Sequence, residues 1–103
     1  MVLAALLASA SLQLQPLGPG QADLRLCFEP ASPAIRYELL VTAQGPAGQT
    51  RSRQRGIADR PCPVHNRLDL APESQVKARL RWWVDGVEQE EVHTETSLQP
   101  RPL

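Results

Sequence analysis

No stretch of this chain repeats its apolar residues at the period of 3.6 that a helix bundle requires, and ten prolines interrupt its 103 residues every few positions. Helix is therefore a minor component at most. Aromatic residues are scarce, with one Phe, one Tyr and two Trp, which limits any platform for stacking bases to Trp83; no nucleic-acid partner is expected. Histidine and cysteine are equally sparse. His65, in a proline-flanked loop, and His93, near the end of the last strand, lie in no nucleophile or metal motif, and Cys27 and Cys62 form neither a Cys-x-x-Cys pair nor a metal-ligand spacing. The carboxylates are scattered along strands and turns without paired geometry. No enzymatic activity, cofactor or metal is expected.

Net charge is absent too, because 11 basic residues cancel 11 acidic ones. The distribution is another matter. Between Arg51 and Arg81 eight basic residues stand against Asp59, Asp69 and Glu73, whereas from Trp82 onward five acidic residues stand against Arg101. Within the basic half, two runs place a cation at every second position: Arg51, Arg53 and Arg55, then Lys77, Arg79 and Arg81. Side chains alternate faces along a strand, so each run puts its cations in one row on one side of a sheet. In the second run the opposite face is apolar, through Val76, Ala78, Leu80, Trp82 and Val84. Such rows are either ordinary protection against edge pairing or a docking patch whose field attracts an anionic partner. Trp83, on the charged face, either stacks on an arginine stem or contacts that partner.

A chain of this length makes one domain with a single modest core, burying roughly 60 to 70% of its unfolded surface. Seven short alternating runs separated by turn residues predict an all-β antiparallel sandwich or barrel. The first spans Ser11 to Leu17 and the second Asp23 to Glu29, with Leu24, Leu26 and Phe28 inward and Cys27 on the other face. The third spans Ile35 to Ala43, with Ile35, Tyr37, Leu39 and Val41 inward and Arg36, Glu38 and Thr42 outward. Gln49 to Gly56 is almost devoid of apolar side chains and must be an edge strand. A short strand from Arg67 to Leu70 precedes the long one from Gln75 to Val84. Asp85-Gly86 is a two-residue hairpin turn. It sets Val84 against Val87, Trp83 against Glu88 and Arg81 against Glu90. Continued in that register, Gln89 and Glu91 would point inward beside Trp82 and Leu80, so either a bulge shifts the last strand or it is a weakly buried edge.

The apolar opening MVLAALLASA, ending in Ala8-Ser9-Ala10, reads as a signal-peptide remnant over residues 1–10 or as an apolar N-terminal strand; ten residues are too few to span a membrane. The domain proper would cover residues 11–98, followed by a flexible tail over 99–103. Cys27 and Cys62 suit one bridge in an exported protein or two free thiols. Bonded, they would close a loop of about 35 residues and contribute on the order of 3 to 4 kcal/mol.

From Gly45 onward the chain resembles the curli accessory proteins of the CsgC and CsgH type. The likeness covers about Arg36 to Gln99 and rests on GPAGQTRSRQ, LDLAPESQVKARLRWWVDG and the order of their turns and strands. It implies an immunoglobulin-like sandwich of about seven strands, a periplasmic location and a chaperone-like role as inhibitor of curli subunit polymerisation. The implied partner is the disordered, acidic curli amyloid subunit, met by a monomer through Gln49, Arg51, Arg53, Arg55, Lys77, Arg79, Arg81 and Trp83. Some members of that family carry a Cys-x-Cys pair just before the third strand. Pro33-Ala34-Ile35 stand there in this chain, so a redox role has no residues to carry it. The alternative function is a non-enzymatic envelope module that binds an acidic polysaccharide through the same cations.

Overall fold

Tertiary structure comes from a computed structural model that describes residues 7–46 and 48–99. The elements are β1 (Ser9–Gly18), β2 (Gln21–Glu29), β3 (Ile35–Gly45), β4 (Gly48–Ile57), β5 (Val64–Asp69), β6 (Gln75–Val84), β7 (Val87–Glu88) and β8 (Val92–Ser97). They form two antiparallel sheets. One has the order β1-β2-β5; the other has the order β4-β3-β6, with β7 and β8 both pairing with β6. The two sheets face each other as a β-sandwich, and β1 lies alongside β8 where their edges approach. Most of the leader expected over residues 1–10, and all but Gln99 of the expected tail, lie outside the described residues.

Strict alternation explains why these segments pair as they do. Leu24, Leu26 and Phe28 from β2 meet Ile35, Tyr37, Leu39 and Val41 from β3 and Val76, Ala78, Leu80, Trp82 and Val84 from β6, and all are buried. Each large aliphatic side chain removed from water in this way contributes about 1.5 to 3 kcal/mol. At one end of the core Phe28 joins the sheets by packing against both Tyr37 and Trp82, at ring-centre separations of 6.0 and 5.5 Å.

Tyr37 also reaches across its own sheet. Its neighbour in register is Gly56, and a Cβ on that glycine would stand 2.6 Å from the tyrosine hydroxyl oxygen. The ring therefore covers a gap that only glycine leaves open. Burial pushes the Tyr37 phenol above its ordinary value, with the charge of Arg60 opposing the rise and that of Asp59 adding to it.

Four sequence expectations need adjustment. The first strand starts at Ser9, two residues early, and Ala8 and Ala10 already pack against the core. Val64 to Asp69 pairs with β2, so His65 belongs to a strand and lies 3.1 Å from the Asp23 carboxylate on the outer face of that sheet. The last predicted strand is divided in two. β7 pairs Val84 with Val87 and Trp83 with Glu88, but β8 resumes with Leu80 against Val92 and Ala78 against Thr94. One residue more than the hairpin register requires is thus inserted between Glu88 and Val92. The cause is polarity: unshifted pairing would drive Gln89 and Glu91 into the core, whereas the extra residue turns Val92, Thr94 and Thr96 inward. Backbone is satisfied through the break, since the Trp82 indole donates to the Glu90 carbonyl and the Gln89 amide to the Trp82 carbonyl. His93 consequently lies near the start of β8 rather than near its end.

Cys27 and Cys62 are bonded to each other, on β2 and in the loop before β5. Their bridge lies on the outside of one sheet and does not cross the core between sheets. Both turn residues Asp85 and Gly86 have positive φ, 49° and 79°, as a tight hairpin of this kind demands.

Three outcomes are expected. Gly56→Ala should destabilise the domain by about 1 to 3 kcal/mol in urea unfolding, because the tyrosine ring must shift. Cys27→Ser combined with Cys62→Ser should cost on the order of 3 to 4 kcal/mol by the same measurement. Since the Tyr37 folded-state pKa lies above its unfolded value, its contribution is complete below about pH 10 and is lost as pH rises through the folded value. Unfolding titrations should show that alkaline decline, and Tyr37→Phe should remove it.

Candidate functional site

The two cationic rows occupy one face of the larger sheet. β3 lies between them, and its register aligns Arg51 with Thr42 and Lys77, Arg53 with Leu40 and Arg79, and Arg55 with Glu38 and Arg81. These rungs continue on the β8 side, where Lys77 stands opposite Glu95 and Arg79 opposite His93. One rung further, Ile57, Arg36 and Trp83 align. The sequence pattern supplied the rows, but nothing in it stated that a single intervening strand would set them side by side.

Carboxylates then divide the face. Glu38 projects between two arginines of the edge strand, with its oxygens 3.6 Å from Arg53 Nε and 3.4 Å from Arg55 Nε. Arg79 is paired with Glu91. Arg81 donates to Glu88 through Nε at 3.3 Å and Nη2 at 3.2 Å, with its guanidinium carbon 5.2 Å from the centre of the Trp83 ring. The partner of Arg81 is thus Glu88 and not Glu90, because β7 ends at Glu88 and the chain leaves the hairpin register there. Trp83 fulfils the stacking expectation through that arginine. Among the described residues, Arg51 and Lys77 have no carboxylate within ion-pairing distance.

Positive charge is therefore unequal between the rows. Along β4, Arg53 and Arg55 share the single carboxylate of Glu38 and Arg51 has none; along β6, two of three cations have one each. Distances decide how these charges combine. Successive side chains of one row are about 7 Å apart and fall within the screening length of about 8 Å at physiological ionic strength, whereas rows two strands apart are separated by about 10 Å and are largely screened from one another. The field is strongest along β4.

β4 is also the most accessible strand. It is the free edge of its sheet and packs on β3 alone. The smaller sheet does not reach over it, which is why Thr50 and Ser52 are exposed on the side that would otherwise be core. Gln49, the second residue of the strand, is exposed as well. Between the rows and on toward β8 runs a shallow groove of about 450 Å³ whose lining includes Thr42, Arg51, Lys77, Arg79, Glu91 and His93. A second groove, of about 290 Å³, lies at the other end of the same face between Arg36, Arg55, Ile57 and Trp83.

Several members of this face escaped the sequence reading. Glu38 was legible as outward-facing, yet its position between two arginines depends on strand neighbours. Ile57 continues the odd-numbered row beyond Arg55, a signal available in the sequence had the strand been extended by one residue. Glu91 reaches the face only because of the inserted residue. Such an arrangement offers cations, a free backbone edge and small apolar contacts. Among the described residues no three His, Cys, Asp or Glu side chains gather as a metal site.

Comparison with known proteins gives fold neighbours only. No protein-family model matches the chain, and no curated protein matches it. Among solved structures, that of CsgH from R. palustris superposes with a TM-score of 0.59 at 21% identity, covering 88% of this chain and 92% of the other. The E. coli curli protein CsgC superposes with the same TM-score at 16% identity, covering 85% of this chain and 96% of the other. The resemblance read from sequence thus meets solved structures of that same type, and over nearly its whole length this chain has the fold of CsgH and CsgC.

Proposed function

We propose that this protein is a curli accessory protein of the periplasm that delays polymerisation of the amyloid subunit by transient contact through β4. The observation that carries this reading is the location of the least neutralised cations on a strand whose backbone edge is free and whose inner face is open at Thr50 and Ser52. An amyloid strand grows by adding to an exposed edge. β4 offers such an edge to a disordered acidic segment, but its own side chains, mostly Arg, Ser, Thr and Gln, give no apolar sheet on which a further strand could pack. Capture leads nowhere, and the subunit is released.

Weak binding follows from the same facts. Exposed ion pairs contribute about 0 to 1 kcal/mol each and are reduced by salt, so the complex dissociates readily and acts without turnover. Lys77, Arg79, Arg81 and Trp83 act as a secondary surface, because Glu91 and Glu88 already hold two of those cations. Likeness to CsgH and to the curli protein CsgC supports the choice of client.

The test is the lag time of curli subunit fibrillation at substoichiometric protein and two salt concentrations. Wild-type protein should lengthen the lag, less so at high salt. Arg51→Glu with Arg53→Glu and Arg55→Glu should abolish the effect, while the same change at Lys77, Arg79 and Arg81 should reduce it less. Undiminished inhibition by the β4 triple variant would reject the role of this strand. Affinity for heparin that outlasts salt better than any effect on fibrils would favour a polysaccharide-binding module instead.

A further inference from the structure

The outward row of β4 does not consist of cations alone. Arg51, Arg53, Arg55 and Ile57 lie on one face, and Ile57 is 52% exposed. Beside it in register are Arg36 and then Trp83, which line the smaller groove with it. The row has a fixed end: immediately after Ile57 the chain turns inward, Ala58 is fully buried, and its backbone is bonded to Ile35 and Ser32. The other face of β4 reads Thr50, Ser52, Gln54 and Gly56, all small or polar.

From this we infer that β4 is a directional reader, selecting acidic strands of the form apolar-x-acid-x-acid-x-acid, written from N- to C-terminus, with small polar residues at x. This rests on the client-binding reading of β4 given above and specifies the segment that such a client must contain. A strand adding to the edge places every second side chain on the face of Arg51, Arg53, Arg55 and Ile57. Opposite the arginines it needs carboxylates; opposite the exposed Ile57 it needs an aliphatic or aromatic group. Its alternate residues lie beside Thr50, Ser52 and Gln54, where no second sheet covers them, and a buried apolar side chain has nothing to gain there. Every pairing in this sheet is antiparallel, and antiparallel addition is the more stable kind per residue. The incoming chain therefore meets Ile57 first and Arg51 last. Glu38, between Arg53 and Arg55, competes with the incoming carboxylates and keeps affinity low.

The experiment is an amide chemical-shift titration of the full protein with two synthetic peptides of equal composition, Leu-Thr-Glu-Ser-Glu-Thr-Glu and its reversed sequence, plus a third with Ser replacing Leu. The forward peptide should bind at least about threefold more tightly than either of the others, with shifts concentrated on β4. Ile57→Thr, an exposed substitution that keeps a β-branched residue in the strand, should erase the preference for Leu over Ser. Glu38→Gln should tighten binding of the forward peptide. Equal affinity for forward and reversed peptides, absence of binding at millimolar peptide, shifts centred on β1, β5 or β8, or a Leu preference surviving Ile57→Thr would each overturn the inference. The fibrillation assay separates the two claims: inhibition of fibrils without peptide discrimination rejects only the reader, and discrimination without inhibition rejects only the curli role.

Discussion

Everything in this molecule depends on the register in which β4, β3 and β6 are hydrogen-bonded. Because side chains alternate across a sheet, that one alignment sends Leu39, Leu80 and Trp82 to the core and Arg53, Arg55, Arg79 and Arg81 to solvent. A slip by a single residue would exchange the two sets, burying guanidinium groups and exposing the core. The penalty for that exchange is far larger than any individual surface contact. It is the hydrophobic side of the sheet, and not attraction among the charges, that holds the cations in ranks.

The same constraint shows why the cations need their carboxylates. Seven positive side chains on one face would repel one another, and Glu38, Glu88 and Glu91 relieve that repulsion where the sheet is most crowded. Relief is nevertheless incomplete along the edge. β4 has a neighbour on one side only, so fewer acidic groups reach it, and its positive field persists for geometrical reasons. A basic strand in the middle of the sheet would have been neutralised from both sides.

Much of this was legible from residue order. The inward faces of β2, β3 and β6, the Asp85-Gly86 hairpin and the edge position of β4 all follow from alternation and turn chemistry acting over a few neighbouring residues. What escaped were relations between segments far apart in the chain. Glu38 lies between Arg53 and Arg55, the Tyr37 ring covers Gly56, and β3 separates the two cationic rows, none of which leaves a local signature. The insertion before Val92 is intermediate. Two polar residues aimed at the core announced a conflict, but whether the chain would resolve it by a shift or by fraying was a question of packing. His65 was misplaced for another reason: the prolines at 61 and 63 end just where β5 begins, and their presence obscured the strand start.

The extra residue near the end of the larger sheet has a consequence for self-association. It kinks the chain between β7 and β8, so the border formed there is broken and twisted, while the border formed by β4 is ten residues long and continuous. The two borders thus differ in length and continuity, and β1 lies beside the second. Under the role proposed for β4, a strand received on that flank would find no equally long ladder on the opposite one to carry the pairing onward.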